Sequence, residues 1–156
     1  MHRQLVVVIG LIEREDKFLL TRRNDPKHAN WHHRWNFPGG KVNQGETPLD
    51  AIHREIYEET QLNIHSPHFL GVHTHHWDTS TGTQQTFLLV YHCQVHPGEI
   101  ILSLEENDAF LWVELEKIPL VPHLLDSMIP LLESLCFDKL KNRETVNAAH
   151  NFPMSR

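Results

Sequence analysis

The chain is poor in cysteine, has no long hydrophobic run and carries no positive charge through its middle. Its two cysteines, Cys93 and Cys136, stand far apart without C-x-x-C spacing, which argues against a disulfide framework and suits a reducing, cytoplasmic compartment. The longest apolar run near the start, Leu5 to Ile12, is too short to span a bilayer and lacks a secretory cleavage pattern, so no membrane partner is expected. No lysine or arginine lies between Glu55 and Glu116, and nine of the fourteen fall at or before Arg54. With a formal net charge of −6, a nucleic-acid polymer is not the expected partner. A small, phosphate-rich molecule would be met by the first third of the chain. Nothing in the pattern names a partner chain, and a homodimer stays open.

At 156 residues, 40% hydrophobic and 22% charged, the chain has the size and composition of one globular domain. The expected domain covers residues 1–138, followed by a polar tail over 139–156. Gln4 to Ile12 reads as a buried strand, turned by Glu13-Arg14-Glu15-Asp16 into a hairpin partner at Lys17 to Arg22. Asn24 to Asn36 has no periodicity and is expected to be a loop. Pro67 to His76, Thr86 to Val95 and Ala109 to Leu115 are further strand candidates. Pro122 to Phe137 has helical apolar spacing, with a kink expected at Pro130. Strands interleaved with two helices predict an α/β fold with a mixed sheet and helices on its faces.

Histidine is unusually abundant, at fourteen. His73, His75 and His76 are the best placed to hold a metal, with His73 and His75 on one face of a strand. No second pair of soft ligands stands at zinc spacing, so the plainer reading is solvated polar positions that gain charge below about pH 6.5.

The richest stretch runs from Gly40 to Leu62, GKVNQGETPLDAIHREIYEETQL. Thr47 is a helix cap, Pro48 suits the first turn, and Leu49, Ile52 and Ile56 form an inward apolar stripe. Glu55, Glu58 and Glu59 then share a neighbouring face. Three like charges there repel one another, and hard oxygen ligands converging on one point suit Mg²⁺ or Mn²⁺.

Gly40, Glu46, then Arg54-Glu55-Ile56-Tyr57-Glu58-Glu59, preceded by Phe37-Pro38-Gly39, resembles the signature of the Nudix hydrolases at fixed spacing. The resemblance covers roughly residues 4 to 136 and implies an α/β/α sandwich with a mixed sheet between helices. It implies hydrolysis of a nucleoside diphosphate linked to another group, by water attacking phosphorus. Carried over residue by residue, it gives Glu55, Glu58 and Glu59 metal-binding and catalytic roles. The Gly39 carbonyl becomes a metal ligand, and Arg54 orients carboxylates with Glu46 as its partner. A further carboxylate is expected before the late strand. Spacing cannot choose among Glu105, Glu106 and Asp108, and Glu106 is the expected one. The chain departs from the family at Gln61, where a glycine ends the helix in left-handed backbone; Asn63 could take over that turn.

Thr21-Arg22-Arg23, Ala29-Asn30 and Phe37 to Lys41 resemble MutT-type enzymes, which remove pyrophosphate from oxidised purine nucleoside triphosphates. That likeness implies that Arg23 and Phe37 line a nucleotide pocket, and Lys41 with the other early cations can meet a triphosphate. The departure is at the late helix, where MutT has an asparagine that reads the purine edge and this chain has Pro122-His123-Leu124-Leu125. The expectation is therefore cleavage of nucleoside triphosphates to monophosphate and pyrophosphate with modest base preference. An 8-oxo-dGTP-type sanitising enzyme, a Nudix-fold ligand sensor without turnover and an isomerase acting on isoprenoid diphosphates stand as alternatives. The intact Glu55, Glu58 and Glu59 favour an enzyme.

Overall fold

The computed structural model describes the backbone of residues 1–136 and side chains as far as Ser134. The expected polar tail over 139–156 lies outside the described residues. Glu15 (φ 51°) and Asp16 (φ 62°) sit in left-handed backbone, forming the two-residue turn that folds β1 (His2–Arg14) onto β2 (Lys17–Arg23). Their neighbours are β3 (Trp35–Asn36), β4 (Gly39–Lys41), β5 (Ile64–Thr79), β6 (Gly82–Val95) and β7 (Asn107–Glu114). The sheet order is β3-β2-β1-β6-β5, with β4 also pairing β1 and β7 pairing β2.

Strand β1 is the axis of this mixed sheet. On one edge it runs parallel to β6, from His2 opposite Thr83 to Glu13 opposite Gln94. On the other it pairs antiparallel with β4, bringing Ile9 opposite Gly39 and Val8 opposite Gly40. Because successive strand side chains point to opposite faces, β1 feeds two cores. Val8 and Ile12 pack with Leu19, Ile52 and Ile56 under α1 (Pro48–Thr60). Ile9 and Leu11 pack with Phe18, Phe37, Leu88 and Leu131 on the opposite face. A 3₁₀ segment, Leu115–Leu120, and α2 (Met128–Leu131) cover that second face. The result is the expected α/β sandwich, a mixed sheet between helical layers.

The strands run longer than their hydrophobic patterns, since β5 and β6 continue to the turn at Ser80-Thr81. Helix α1 starts as its sequence predicts, with the Asp50 amide donating to Thr47 Oγ1 at 3.1 Å. Its buried stripe differs in one place. Leu49 is 47% exposed, and Ala51 joins Ile52 and Ile56 instead.

Gln61 ends the helix in left-handed backbone (φ 60°, ψ 14°), its amide donating to the Tyr57 carbonyl. Asn63 does not take over the turn. A side chain in this conformation costs free energy that glycine avoids. Gln61→Gly is therefore expected to stabilise the domain by up to about 1 kcal/mol and raise its melting temperature by about 2–4 °C. A lower melting temperature would show that the Gln61 side chain outweighs the backbone cost.

The late helix is the largest correction. Residues 122–127 are not helical: His123 is left-handed (φ 62°), and Leu124 makes an isolated bridge to Trp35. Helix begins only at Met128 and passes into a π-helical turn, Leu132–Cys136. Pro130 then falls in the first helical turn, where its missing N–H breaks no bond, so the expected kink does not arise there. The residue before the helix and against the sheet is the buried Ser127, not Pro122 or His123.

Candidate active site

Close packing of β4 against β1 and α1 sets the floor of the site. A Cβ on Gly39 would overlap the Val8 carbonyl, and one on Gly40 would fall on the Glu55 carboxylate. Only glycine lets this backbone lie flat against the helix face. In that position the Gly39 amide donates to Glu59 Oε2 at 2.9 Å. Glu59 is 8% exposed, deep between sheet and helix.

Arg54 organises the other carboxylates. Its guanidinium holds Glu46 in a fork, Nε to Oε2 at 2.6 Å and Nη2 to Oε1 at 2.8 Å. Nη1 donates to Glu55 at 2.8 Å and to Glu58 at 3.2 Å, and Nη2 also meets the Lys41 carbonyl at 3.0 Å. The fork holds the Glu46 carboxyl down at about 2, and the same contacts raise Arg54 above its already high value. The partnership with Glu46 that the family resemblance implies is thus present. The three helix carboxylates are not equivalent, however. Glu55 and Glu59 line a cavity, while Glu58 is half-exposed and meets Arg54 from outside.

The segment after β6 is tied to the end of α1, where helix carbonyls lack intrahelical partners. The Ile101 and Ser103 amides donate to the Thr60 and Glu59 carbonyls at 2.9 and 3.2 Å. A turn at Ser103 then delivers Glu105, Glu106 and Asn107 to the cavity wall. Glu106 contributes like-charge repulsion at both Glu55 and Glu59. Asp108 points elsewhere, bound by Arg22 Nε at 2.7 Å, which pulls its carboxyl below the usual range. Asn107 was not singled out by the sequence. It is buried, and its Nδ2 donates to Glu59 Oε1 at 3.4 Å. Only its place at the first residue of a strand beside an acidic pair could have marked it.

Burial raises the Glu55 carboxyl, with the charges of Glu58 and Glu106 acting the same way against the opposing pull of Arg54. Glu59 is driven well above the ordinary carboxylate value, first by burial and then by the charges of Glu55 and Glu106. A buried carboxylate crowded by like charges calls for a cation.

The cavity holds about 730 Å³ and runs from these carboxylates along the odd residues of β1, Ile9, Val7, Leu5 and Arg3. Arg23 and Lys41 both line it. Arg23 lies over the Trp31 ring at 5.8 Å and has Asp25 at 3.4 Å, so its charge is partly matched already. Phe37 touches the cavity but is only 1% exposed, which makes it chiefly a core residue with little surface to offer a ligand.

The histidine cluster does not gather into a metal site. Among the described residues, no three His, Cys, Asp or Glu side chains are arranged to hold an ion as they stand. Nor is His73 a solvated position. Its Nδ1 is 2.9 Å from Ser134 Oγ, its Nε2 is buried without a partner, and burial lowers its pKa. His75, stacked edge-on against Trp77, is lowered likewise by burial and then by the charge of His73.

Comparison with known proteins places this geometry in context. A family model described as the NUDIX domain matches residues 1–134. The chain is similar to the CTP pyrophosphohydrolase of Escherichia coli K12, 29% identical over 132 residues that cover 85% of this chain and 91% of that protein. It is also similar to the NAD-capped RNA hydrolase NudC of Pseudomonas syringae pv. syringae, 28% identical over 115 residues. That match covers 74% of this chain but only 38% of the relative's length. Among solved structures, a MutT NUDIX hydrolase from Burkholderia pseudomallei superposes with a TM-score of 0.71 at 27% identity, covering 83% of this chain and 96% of that one. No helix among the described residues is long and apolar enough to cross a membrane.

Proposed function

Because the chain belongs to the Nudix hydrolase family, we propose that it cleaves nucleoside triphosphates, or related nucleoside diphosphate-linked compounds, to a nucleoside monophosphate and pyrophosphate with Mg²⁺ or Mn²⁺. The observation that carries this reading is the buried Glu59 carboxylate, crowded by Glu55 and Glu106 at one end of a cavity with an apolar floor. The donor set fits a hard divalent ion. Glu55, Glu59 and the Gly39 carbonyl would hold it from the cavity, Glu58 would join by turning from its outer contact with Arg54, and phosphate oxygens and water would complete the shell, as Mg²⁺ prefers. When bound, the ion neutralises charge on the phosphate oxygens and favours ionisation of a nearby water.

The chain's own groups do the rest. Arg54 fixes Glu55 and Glu58 in orientation, and the Gly39 amide and Asn107 fix Glu59. Arg23 and Lys41 meet the outer phosphates at the cavity wall. As the water oxygen bonds to phosphorus, its proton passes to Glu106. The bridging P–O bond breaks, and its electron pair leaves with pyrophosphate. The names of the relatives include RNA substrates, but the net charge of −6 offers no field to track a polymer.

Product analysis on a panel of nucleoside triphosphates tests the reading. Monophosphate and pyrophosphate should appear with Mg²⁺ and cease after chelation. Full turnover in chelator-treated protein, or release of orthophosphate alone, would sink it.

A further inference from the structure

We propose that Gln84 reads the substrate base, accepting a hydrogen bond from an exocyclic amine, so that adenine and cytosine are favoured over their oxo counterparts hypoxanthine and uracil. This rests on the nucleotide reading above and assigns the far end of the same cavity.

The strand register supplies a ruler. Gly39 stands opposite Ile9 on one edge of β1, and Gln84 stands opposite Arg3 on the other. Six residues separate Ile9 from Arg3, about 20 Å of strand at about 3.3 Å per residue. Gln84 folds back along this line, its Nε2 donating to Thr86 Oγ1 at 3.3 Å, and Thr86 is opposite Leu5. Between the carboxylates and this amide the floor is apolar, made by Leu5, Val7 and Leu88. A nucleotide laid with its phosphates at Glu55 and Glu59 places ribose and base over that floor and the base edge at Gln84.

Gln84 itself has the features of a reading group. It is 8% exposed, and it lines the cavity. One of its two Nε2 hydrogens goes to the buried Thr86 Oγ1, while Oε1 accepts no hydrogen bond among the described residues. An acceptor left open at the cavity wall exchanges its water for a ligand donor when a base amine reaches it. Trp77, opposite Gln84 on β5, and Trp31, which meets Trp77 edge-on at 5.8 Å, wall this end of the cavity. These rings give a base an apolar wall beside the Gln84 amide. The amide that sequence reasoning sought at the late helix is therefore supplied by β6.

Two isosteric pairs test the proposal, since each exchanges an amine for an oxo group at nearly constant shape. Wild-type protein should bind AMP about tenfold more tightly than IMP without divalent metal, and should hydrolyse ATP over ITP and CTP over UTP by a similar factor. Gln84→Met keeps the volume and removes the acceptor, and should bring all three ratios to about one; Gln84→Ala serves as the second variant. Equal or reversed preference in the wild type, or preference retained in a folded variant, overturns the assignment. Discrimination of AMP from IMP without any triphosphate turnover would leave the base-reading role standing and remove the hydrolytic reading instead.

Discussion

Glu59→Gln is expected to lower hydrolysis by about a hundredfold to a thousandfold while leaving the fold intact. The carboxylate is the most buried of the cluster, and its charge is what a divalent ion would meet. Glutamine has nearly the same shape and opens no cavity. It keeps one acceptor for the Gly39 amide, and the weaker 3.4 Å contact can reverse, with Asn107 turning its amide to accept. Stability should move the other way. Burial and the charges of Glu55 and Glu106 raise the folded pKa of Glu59 above its unfolded value of 4.5. Its contribution is thus fully present below the unfolded value and lost as the pH rises through the folded one. In metal-free solution, the variant should therefore melt above the wild type at neutral pH, with the gap closing toward pH 4. Added Mg²⁺ should raise the wild-type melting temperature more than the variant's. A melting-temperature difference that ignores pH would show that the Glu59 charge is not under strain.

Much of this site was legible because it is local. From Thr47 to Glu59 every position lies on one helix, so periodicity alone places Ile52, Ile56, Glu55 and Glu59, and the cap at Thr47 marks the start. What failed depended on contacts distant in sequence. Leu49 repeats at helical spacing, yet among the described residues nothing packs over it and it stays half-exposed. Residues 122–127 share the helical spacing of Met128 to Leu132, but backbone bonds between Trp35 and both His123 and Leu125 tie them to β3 in turns instead of a helix. Glu106 and Asp108 are alike in sequence and were separated by Arg22, far away along the chain, which captures Asp108. Asn107 and Gln84 acquire meaning only when β7 and β6 carry them to the cavity. Phe37 matched a motif and does line the cavity, but its 1% exposure, which no motif records, places most of its ring in the core.

Arg54→Ala should damage both stability and activity, because a single guanidinium serves Glu46, Glu55, Glu58 and the Lys41 carbonyl. Removing it leaves Glu55, largely desolvated, facing Glu58 and Glu106 with no counter-charge. Losing one partner of such a network is costly, though the side chain of Arg54 retains 26% exposure and water softens the loss. A fall in melting temperature of about 5 °C is expected at neutral pH. Activity should drop by about tenfold to a hundredfold, with a weaker apparent affinity for Mg²⁺, as when supporting partners of metal ligands are removed. Arg54→Lys should recover little, because an ammonium cannot span the Glu46 fork and still reach Glu55. The acid side adds an independent check. Glu46 has its folded pKa depressed to about 2, so its contribution is present above the unfolded value of 4.5 and lost as pH falls through the folded one. The melting-temperature gap between wild type and Arg54→Ala should therefore shrink as pH drops from 4.5 toward 2. A gap that stays constant across that range would mean that Arg54 acts by packing its stem rather than by charge, and its role in orienting the carboxylates would fall with it.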